Sequence, residues 1–269
     1  MSRPWEGYMK PFRIWGPVYF VGTRPASSHL IDTGDGLILL DAGYPHSLYL
    51  VFEGIRTLGF DPHDIRIVLL SHGHYDHLGA ARAVVEYTGA KTCLGAPDRD
   101  YANGKLDLTW ARELGYTYDE AFEPDVLLND GSHVRLGDID IECRAAPGHT
   151  PGTMAFFFEA AGMRFAMHGG VGVNSMSKDF LDRYGLSYDC REAFFAGLDR
   201  LKTEHVDIQL GNHVGNNDEE ARYARLAAGD ERAFVDDTAW PRFLEKCRKN
   251  LQAVIAGEPP AQSATETAL

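Results

Sequence analysis

The chain has 269 residues, of which 44% are hydrophobic and 24% charged, and these values exclude a disordered or fibrous protein. A chain of this length suits a single α/β or β-rich catalytic domain. Its net charge of −13 repels nucleic acid and anionic membranes, so we expect neither as a partner and look for a small-molecule substrate instead.

The amino terminus and the cysteines bear on the compartment. The start, MSRPWEGYMK, has no apolar signal-peptide region, and no stretch approaches the ~18 apolar residues of a membrane span. The four cysteines lie about fifty residues apart and form no close pair, which favours free thiols over disulfides. We therefore expect a cytoplasmic protein, or a periplasmic one if a signal peptide has been removed.

Apolar runs and helical periodicities alternate along the chain. The predicted strands are residues 17–21, 29–32, 36–41, 65–70, 91–94, 134–136, 139–145, 153–159, 163–167 and 206–210. The predicted helices are residues 47–58, 78–87, 191–203, 218–227 and 241–255. This alternation predicts a layered α/β architecture. We place one catalytic domain at residues 1–257 and a disordered Pro/Ser/Thr-rich tail at 258–269.

Four possible metal ligands follow directly on the apolar strand at 65–70: His72, His74, Asp76 and His77. Buried imidazoles and carboxylates are costly unless they are paired or coordinated. Nitrogen and oxygen ligands without sulfur suit zinc, although iron or manganese also fits. Solvated turn residues are the alternative, but four possible ligands within six positions favour a metal site.

Two more histidines lie where strands end. His149 is in the tight loop 146–152, and His213 follows the strand at 206–210. Open α/β folds build their sites from loops at strand ends, so we expect both imidazoles near the first cluster. For a single loop histidine, a solvated turn residue remains the alternative.

The order His-x-His-x-Asp-His, then Gly-His-Thr-Pro-Gly, then a late His after a strand resembles the metallo-β-lactamase superfamily. The resemblance covers about residues 18–214 and implies an α/β fold, a four-layer αβ/βα sandwich of two mixed sheets with helices outside. The segments 19–23 (YFVGT), 58–60 (LGF) and 146–152 (APGHTPG) look most like the third subclass of metallo-β-lactamases.

The resemblance also implies two zinc sites. His72, His74 and His149 would hold the first zinc ion. Asp76, His77 and His213 would hold the second. A hydroxide between the two ions would attack a carbonyl group, and Asp76 would act as the catalytic proton acceptor.

One departure from the family pattern is informative. Lactonases and glyoxalase-II-type thioesterases carry a bridging Asp after the next strand, whereas residues 165–171 contain no carboxylate. This gap favours the third lactamase subclass and predicts a weaker second metal site. His168 is either an added ligand, a hydrogen-bond donor to a ligand, or a strand-end residue. Asp41 either orients a ligand or is a turn carboxylate.

The resemblance therefore predicts a zinc-dependent hydrolase that opens a β-lactam or a related cyclic amide. A lactonase or thioesterase is the main alternative, followed by an iron-dependent oxidoreductase and a metal-dependent binding protein. The candidates for substrate contact are Tyr75, Asn174, Ser175 and Trp5, the last in an aromatic roof with Tyr8 and Trp15. Residues 175–189 are a candidate lid.

Overall fold

The computed structural model describes residues 3–258, which form two β-sheets packed face to face with helices on both outer faces. The first sheet contains seven strands in sequence order: β1 (Phe12–Trp15), β2 (Val18–Phe20), β3 (His29–Asp32), β4 (Leu37–Leu40), β5 (Ile65–Leu69), β6 (Lys91–Gly95) and β7 (Val126–Leu128). Pairing is antiparallel from β1 to β4 and parallel from β4 to β7.

The second sheet has the order β12-β11-β10-β9-β8. Its strands are β8 (Ser132–Leu136), β9 (Ile139–Ala145), β10 (Met154–Ala160), β11 (Met163–His168) and β12 (Ile208–Leu210). Only β11 and β12 pair in parallel. Because β10 runs opposite to its two neighbours, β9, β11 and β12 all end at the same edge of the sheet.

The described α-helices are α1 (Leu48–Thr57), α2 (Tyr75–Leu78), α3 (Ala81–Thr88), α4 (Arg99–Ala102), α5 (Lys178–Tyr184), α6 (Asp189–Leu201), α7 (Glu219–Ala227) and α8 (Ala239–Gly257). Short 3-10 helices occupy Pro4–Gly7, Pro45–Ser47, Pro62–Asp64, Ala96–Asp98, Arg112–Leu114 and Asn174–Met176. Between residues 3 and 258, none of these helices is both long enough and apolar enough to cross a membrane.

Three apolar cores separate the four layers. Along β4, successive side chains alternate between two of these cores. Ile38 and Leu40 pack between the sheets, whereas Leu37 and Leu39 pack under α1 and α3. A third core lies between the second sheet and helices α6 and α8, around the fully buried Trp240. Each sheet buries both faces, which requires apolar residues at successive positions of its central strands. The predicted four-layer sandwich is confirmed.

The predicted elements correspond to observed ones, but several boundaries and short elements differ. Each predicted strand begins and ends within two residues of the corresponding observed strand. The elements β1, β7, α4 and α5 were not predicted, because they have only three to seven residues and show too little periodicity to be recognised. The predicted helix at 78–87 corresponds to α3, which begins three residues later, at Ala81; Leu78 is the last residue of the short helix α2, which was not predicted.

The first residue of the predicted disordered tail lies within the described residues. Glu258 is part of the structure, and its carboxylate accepts hydrogen bonds from both terminal nitrogens of Arg191, at 2.6 and 2.9 Å, and from the backbone N–H of Lys178 at 2.7 Å. The rest of the predicted tail, residues 259–269, lies outside the described residues.

Glu219, the first residue of α7, is completely buried. Its carboxylate accepts a hydrogen bond from Asn217 Nδ2 at 2.5 Å, and burial raises its pKa from 4.5 to about 7. The unfolded chain loses this proton near pH 4.5, whereas the folded chain keeps it to about pH 7. This group therefore stabilises the fold at low pH, and that contribution is lost as the pH rises from 4.5 to 7.

We expect Glu219→Gln to match the wild type in stability near pH 4.5 and to exceed it at pH 8 by up to about 3 kcal/mol, at ~1.36 kcal/mol per pKa unit. Urea unfolding at both pH values measures the difference. Glu220→Gln, at a neighbouring side chain that is 55% exposed, should show no such pH dependence. An advantage of Glu219→Gln that is equal at both pH values would contradict this interpretation.

Candidate metal centre

The predicted ligands lie at one edge of the molecule, where the carboxyl ends of strands from both sheets meet. The loop after β5 carries four of them, and its start is held by Asp41 at the end of β4. Asp41 has a positive φ of 62°, and its carboxylate accepts hydrogen bonds from the backbone N–H and the hydroxyl of Ser71 at 2.7 and 2.8 Å. The chain therefore leaves β5 in a fixed direction.

The first predicted ligand set comes together. His149 Nε2 lies 2.9 Å from His74 Nδ1 and 3.2 Å from His72 Nε2. His72 is fully buried and His74 is 4% exposed. Residues 77 positions apart in the chain thus direct their ring nitrogens to one point.

The second predicted ligand set comes together as well. His77 Nε2 lies 3.2 Å from Asp76 Oδ2 and 3.3 Å from His213 Nε2, and the latter is 3.4 Å from Asp76 Oδ2. His72 also lies close enough to Asp76 and His77 to share a metal ion with them. The two sets are therefore adjacent, with His72 between them.

Hydrogen bonds fix the other nitrogen of most of these imidazoles. The Nδ1 of His77 is 2.8 Å from Asp41 Oδ2, that of His149 is 2.7 Å from the carbonyl oxygen of Gly172, and that of His213 is 2.9 Å from the carbonyl oxygen of Pro25. A carbonyl or carboxylate at this position takes the ring N–H and leaves Nε2 free to bind a metal ion. Asp41 thus has the contact predicted for a residue that orients a ligand.

The two sets differ in charge. Burial, reinforced by the neighbouring imidazoles, holds the pKa of His72 and His74 well below the usual range. Burial also lowers the pKa of His149 to about 4. These side chains are therefore neutral near pH 7, which is the state that binds metal ions.

In the second set, burial lowers the pKa of His213. At Asp76 and His77 burial also opposes the charged forms, but the pairing of their opposite charges outweighs it. Asp76 and Asp41 raise the pKa of His77 to about 10, and the nearby imidazoles hold the pKa of Asp76 well below its usual range. This half of the cluster therefore favours a bound cation, either a proton or a metal ion.

The donor set fits zinc. Two imidazole nitrogens that bind one tetrahedral zinc ion at ~2.0–2.1 Å lie roughly 3.3 Å apart, and the ring nitrogens here are separated by 2.9 to 3.3 Å. The six side chains offer only nitrogen and oxygen, as catalytic zinc sites commonly do. The same donors also suit iron or manganese.

Asp98, which the sequence reasoning missed, joins the two ligand loops. This fully buried carboxylate accepts hydrogen bonds from Gly73 N at 2.7 Å, Thr150 Oγ1 at 2.6 Å and Gly152 N at 2.7 Å. A Cβ atom at Gly152 would lie 2.6 Å from the Asp98 carboxyl carbon, which explains glycine there. The position of Asp98, just after the buried strand β6, was the signal that could have identified it.

Trp110 is a second residue that the sequence reasoning missed. It has a positive φ of 65°, which is unusual for a bulky residue. Its ring lies 5.8 Å from that of His74 and 4.7 Å from that of Phe180. It lines a cavity of about 160 Å³ together with Asp76 and His213. No local pattern around residue 110 indicates this position.

His168 is a strand-end residue. Its Nδ1 accepts a hydrogen bond from Gly170 N at 3.3 Å, and burial lowers its pKa to about 3. Among the described residues, no hydrogen bond connects it to a predicted ligand, so its roles as ligand or donor lack support. A Cβ atom at Gly170 would lie 2.4 Å from the His149 ring, so a carboxylate cannot occupy this position without displacing His149.

The predicted substrate contacts divide into two groups. Asn174 and Ser175 line the cavity beside Asp76, and Ser175 Oγ donates to the His149 carbonyl oxygen at 2.7 Å. Tyr75 is 4% exposed and packs against other tyrosines, and Trp5 is 59% exposed. Neither lines the cavities around the cluster within residues 3–258, so their predicted contacts with substrate lack support.

The predicted aromatic roof needs correction, whereas the predicted lid is not tested. The Trp15 indole donates to the carbonyl oxygen of Ala161 and packs against the core between the sheets, so it is not part of a roof. Tyr8 pairs with Thr23 in an isolated β-bridge. Residues 175–189 form helix α5 and its flanking turns beside the cluster, and their role as a lid stays a prediction.

Similarity to known proteins supports the assignment of the ligand cluster as a metal centre. Residues 21–166 match the family model of the metallo-beta-lactamase superfamily. The chain is 26% identical to the probable metallo-hydrolase YflN of Bacillus subtilis over 52% of this chain and 55% of that protein. It is 30% identical to the hydroxyacylglutathione hydrolase GloC of Haemophilus influenzae over 40% of this chain and 53% of that protein. The chain thus matches about half the length of these two relatives.

Solved structures match over more of the chain. The metallo-beta-lactamase FEZ-1 of Legionella gormanii has a TM-score of 0.82 at 28% identity, covering 92% of this chain and 95% of that one. BJP-1 of Bradyrhizobium japonicum, a subclass B3 metallo-beta-lactamase, has a TM-score of 0.82 at 22% identity, covering 95% and 97%, and this likeness concerns the fold. The chain belongs to the metallo-β-lactamase superfamily.

Proposed function

We propose that the protein is a zinc-dependent hydrolase that opens a β-lactam or a related cyclic amide in a small-molecule substrate. The observation that carries this proposal is the convergence of two adjacent ligand sets at the wall of one cavity. His72, His74 and His149 would hold one ion, and Asp76, His77 and His213 the other. When bound, such a pair of ions supplies a water of lowered pKa and polarises a carbonyl group.

The chain's own residues orient the reactants. Asp76 is the only carboxylate among the described residues that line the 160 Å³ cavity. We assign it to accept a hydrogen bond from the attacking water and to pass the water's proton to the leaving group. Asn174, on the same wall, would donate a hydrogen bond from its side-chain amide to the substrate. The Trp110 ring lies 5.8 Å from that of His74, and we assign it to limit the access of bulk water.

A thioesterase activity is the second candidate. GloC is described as a hydroxyacylglutathione hydrolase, and this likeness supports the alternative. Against it stands the strand end at Gly169 and Gly170, where the sequence carries no bridging carboxylate and a Cβ atom would lie 2.3 to 2.4 Å from neighbouring atoms. The alternative of an iron-dependent oxidoreductase is supported only by the types of donor atom in the cluster.

The test is a metal analysis combined with a substrate panel of a chromogenic cephalosporin, a lactone and a glutathione thioester. We expect two zinc ions per chain, the second bound more weakly, and hydrolysis of the cephalosporin. Chelation should lower this hydrolysis at least about 100-fold, and added zinc should restore it. One iron ion per chain with consumption of oxygen would overturn the proposal, and turnover of the thioester alone would favour the second candidate.

A further inference from the structure

A second cavity, of about 330 Å³, opens beside the metal centre. It adjoins the smaller cavity, because His74, His149 and Ser175 line both. We call it the apolar pocket and define it by the side chains that form its walls away from the metal ligands: Tyr101, Leu108, Phe180, Leu181, Leu186 and Ala193.

The apolar pocket is suited to bind an apolar group. Its volume lies within the range of roughly 300–1,000 Å³ that is typical of small-molecule sites. Phe180 and Leu181 are buried in its wall, and the ring of Trp110 packs on that of Phe180 with 4.7 Å between centroids. An apolar chain that enters this space leaves water for a largely carbon-lined surface, which is favourable.

The charges around the apolar pocket also favour an uncharged ligand. Its lining and that of the neighbouring cavity, all within residues 3–258, contain no Lys or Arg. The only carboxylates in these walls are Asp189 and Asp76. Away from the metal ligands, a carboxylate on the bound chain would therefore lack a cationic side chain as partner and would lose hydration without compensation. The geometry thus disfavours a chain that ends in an anionic group.

We propose that the apolar pocket binds an uncharged alkyl or aryl substituent on the acyl side of the carbonyl group that is hydrolysed. The reactive carbonyl would then lie where the two cavities meet, beside His74 and His149. This assignment rests on the proposed hydrolase function, and it specifies the substrate class as carbonyl compounds with an uncharged apolar acyl group. Hydrolysis consumes one water, breaks the acyl bond, and gives a carboxylic acid and the leaving alcohol or amine.

The first experiment measures the preference for chain length. We expect kcat/KM for p-nitrophenyl esters to rise about threefold per methylene from acetate to hexanoate, since each buried methylene favours binding. The mono-p-nitrophenyl ester of adipic acid, which places a carboxylate at the end of the chain, should react at least about tenfold more slowly than the hexanoate.

A matched pair of variants on α6 localises the effect. Ala193 lines the pocket, whereas Ala196 is exposed on the same helix. Ala193→Phe should fill the pocket and remove the preference for longer chains, whereas Ala196→Phe should leave it unchanged. Thermal unfolding and zinc content establish that both variants are folded. Leu186→Ser provides a second test, because it replaces an apolar wall residue with a smaller polar one and should weaken the preference for longer chains.

Cys190 offers a readout that does not depend on hydrolysis. It lines the pocket and is half-buried, whereas the other three cysteines, also within the described residues, are buried. Iodoacetamide should therefore alkylate Cys190 selectively in the folded protein. We expect octanamide, a neutral amide, to slow this alkylation at least about fivefold and acetamide to have no effect. Ala193→Phe should abolish the protection by octanamide.

The two proposals fail in distinguishable ways. If octanamide protects Cys190 but no ester, lactone or lactam is hydrolysed, the hydrolase proposal is wrong and the pocket's preference for apolar chains stands. If hydrolysis proceeds without a preference for chain length and octanamide leaves Cys190 unprotected, the pocket assignment is wrong while the hydrolase proposal stands.

Discussion

His72→Ala is expected to lower both zinc affinity and hydrolysis by at least about 100-fold. His72 is within ligand distance of His74 and His149 on one side and of Asp76 and His77 on the other, so its loss affects both predicted sites. Zinc bound by four ligands contributes roughly 10–16 kcal/mol, which is about 3 kcal/mol for each ligand. Competition with a chromogenic chelator measures the affinity, and the cephalosporin assay measures the activity.

The control is His205→Ala, because the His205 side chain is 66% exposed. Within residues 3–258, its only ion pair is with Asp207. It should leave zinc affinity and hydrolysis unchanged. Thermal unfolding of the metal-free forms separates loss of the ligand from loss of the fold. If His72→Ala keeps wild-type hydrolysis while the protein remains folded, the proposed metal centre is wrong.

Asp98→Asn is expected to destabilise the protein by about 3 kcal/mol and to weaken zinc binding 10- to 100-fold, by analogy with other residues that orient ligand loops. Oδ1 of Asp98 accepts from Gly152, and Oδ2 accepts from Gly73 and Thr150. An amide nitrogen in place of either oxygen faces an N–H group, so at least one hydrogen bond to a ligand loop is lost. Urea unfolding and the chelator titration report the two effects.

Asp100→Asn is the matched control, two residues away, where the side chain is 47% exposed. It should change neither stability nor zinc affinity by a measurable amount. Should Asp98→Asn reduce stability and yet bind zinc as the wild type does, Asp98 contributes to the fold without positioning the ligands.

The ligand candidates could be recognised from the sequence because their chemistry is local. His72, His74, Asp76 and His77 lie within six consecutive positions after an apolar strand, and polar groups at that place require a partner. The same periodicity that marks the strands places His149 and His213 at strand ends. The resemblance to a known family then specified the four-layer fold, which the structure and the family match confirm.

Other features depend on contacts between distant parts of the chain. Asp98 reaches Thr150 across 52 positions, and Trp110 meets Phe180 across 70 positions. Nothing in the neighbouring sequence of either residue encodes these contacts. Tyr75 shows the opposite case, since its place within the ligand motif suggested substrate contact, but α2 turns its side chain into a group of packed tyrosines.

The sequence by itself therefore determined the residues of the candidate metal centre, because ligand type, spacing and position at strand ends are properties of short segments. Only the tertiary structure decided the surroundings of that centre: the hydrogen bonds that orient the imidazoles, the carboxylate that joins the two loops, and the apolar pocket. These surroundings arise where both sheets, α5, α6 and the loop around residue 110 meet. Such a cavity forms where separate segments pack together, so its shape cannot be predicted from the sequence of any one segment.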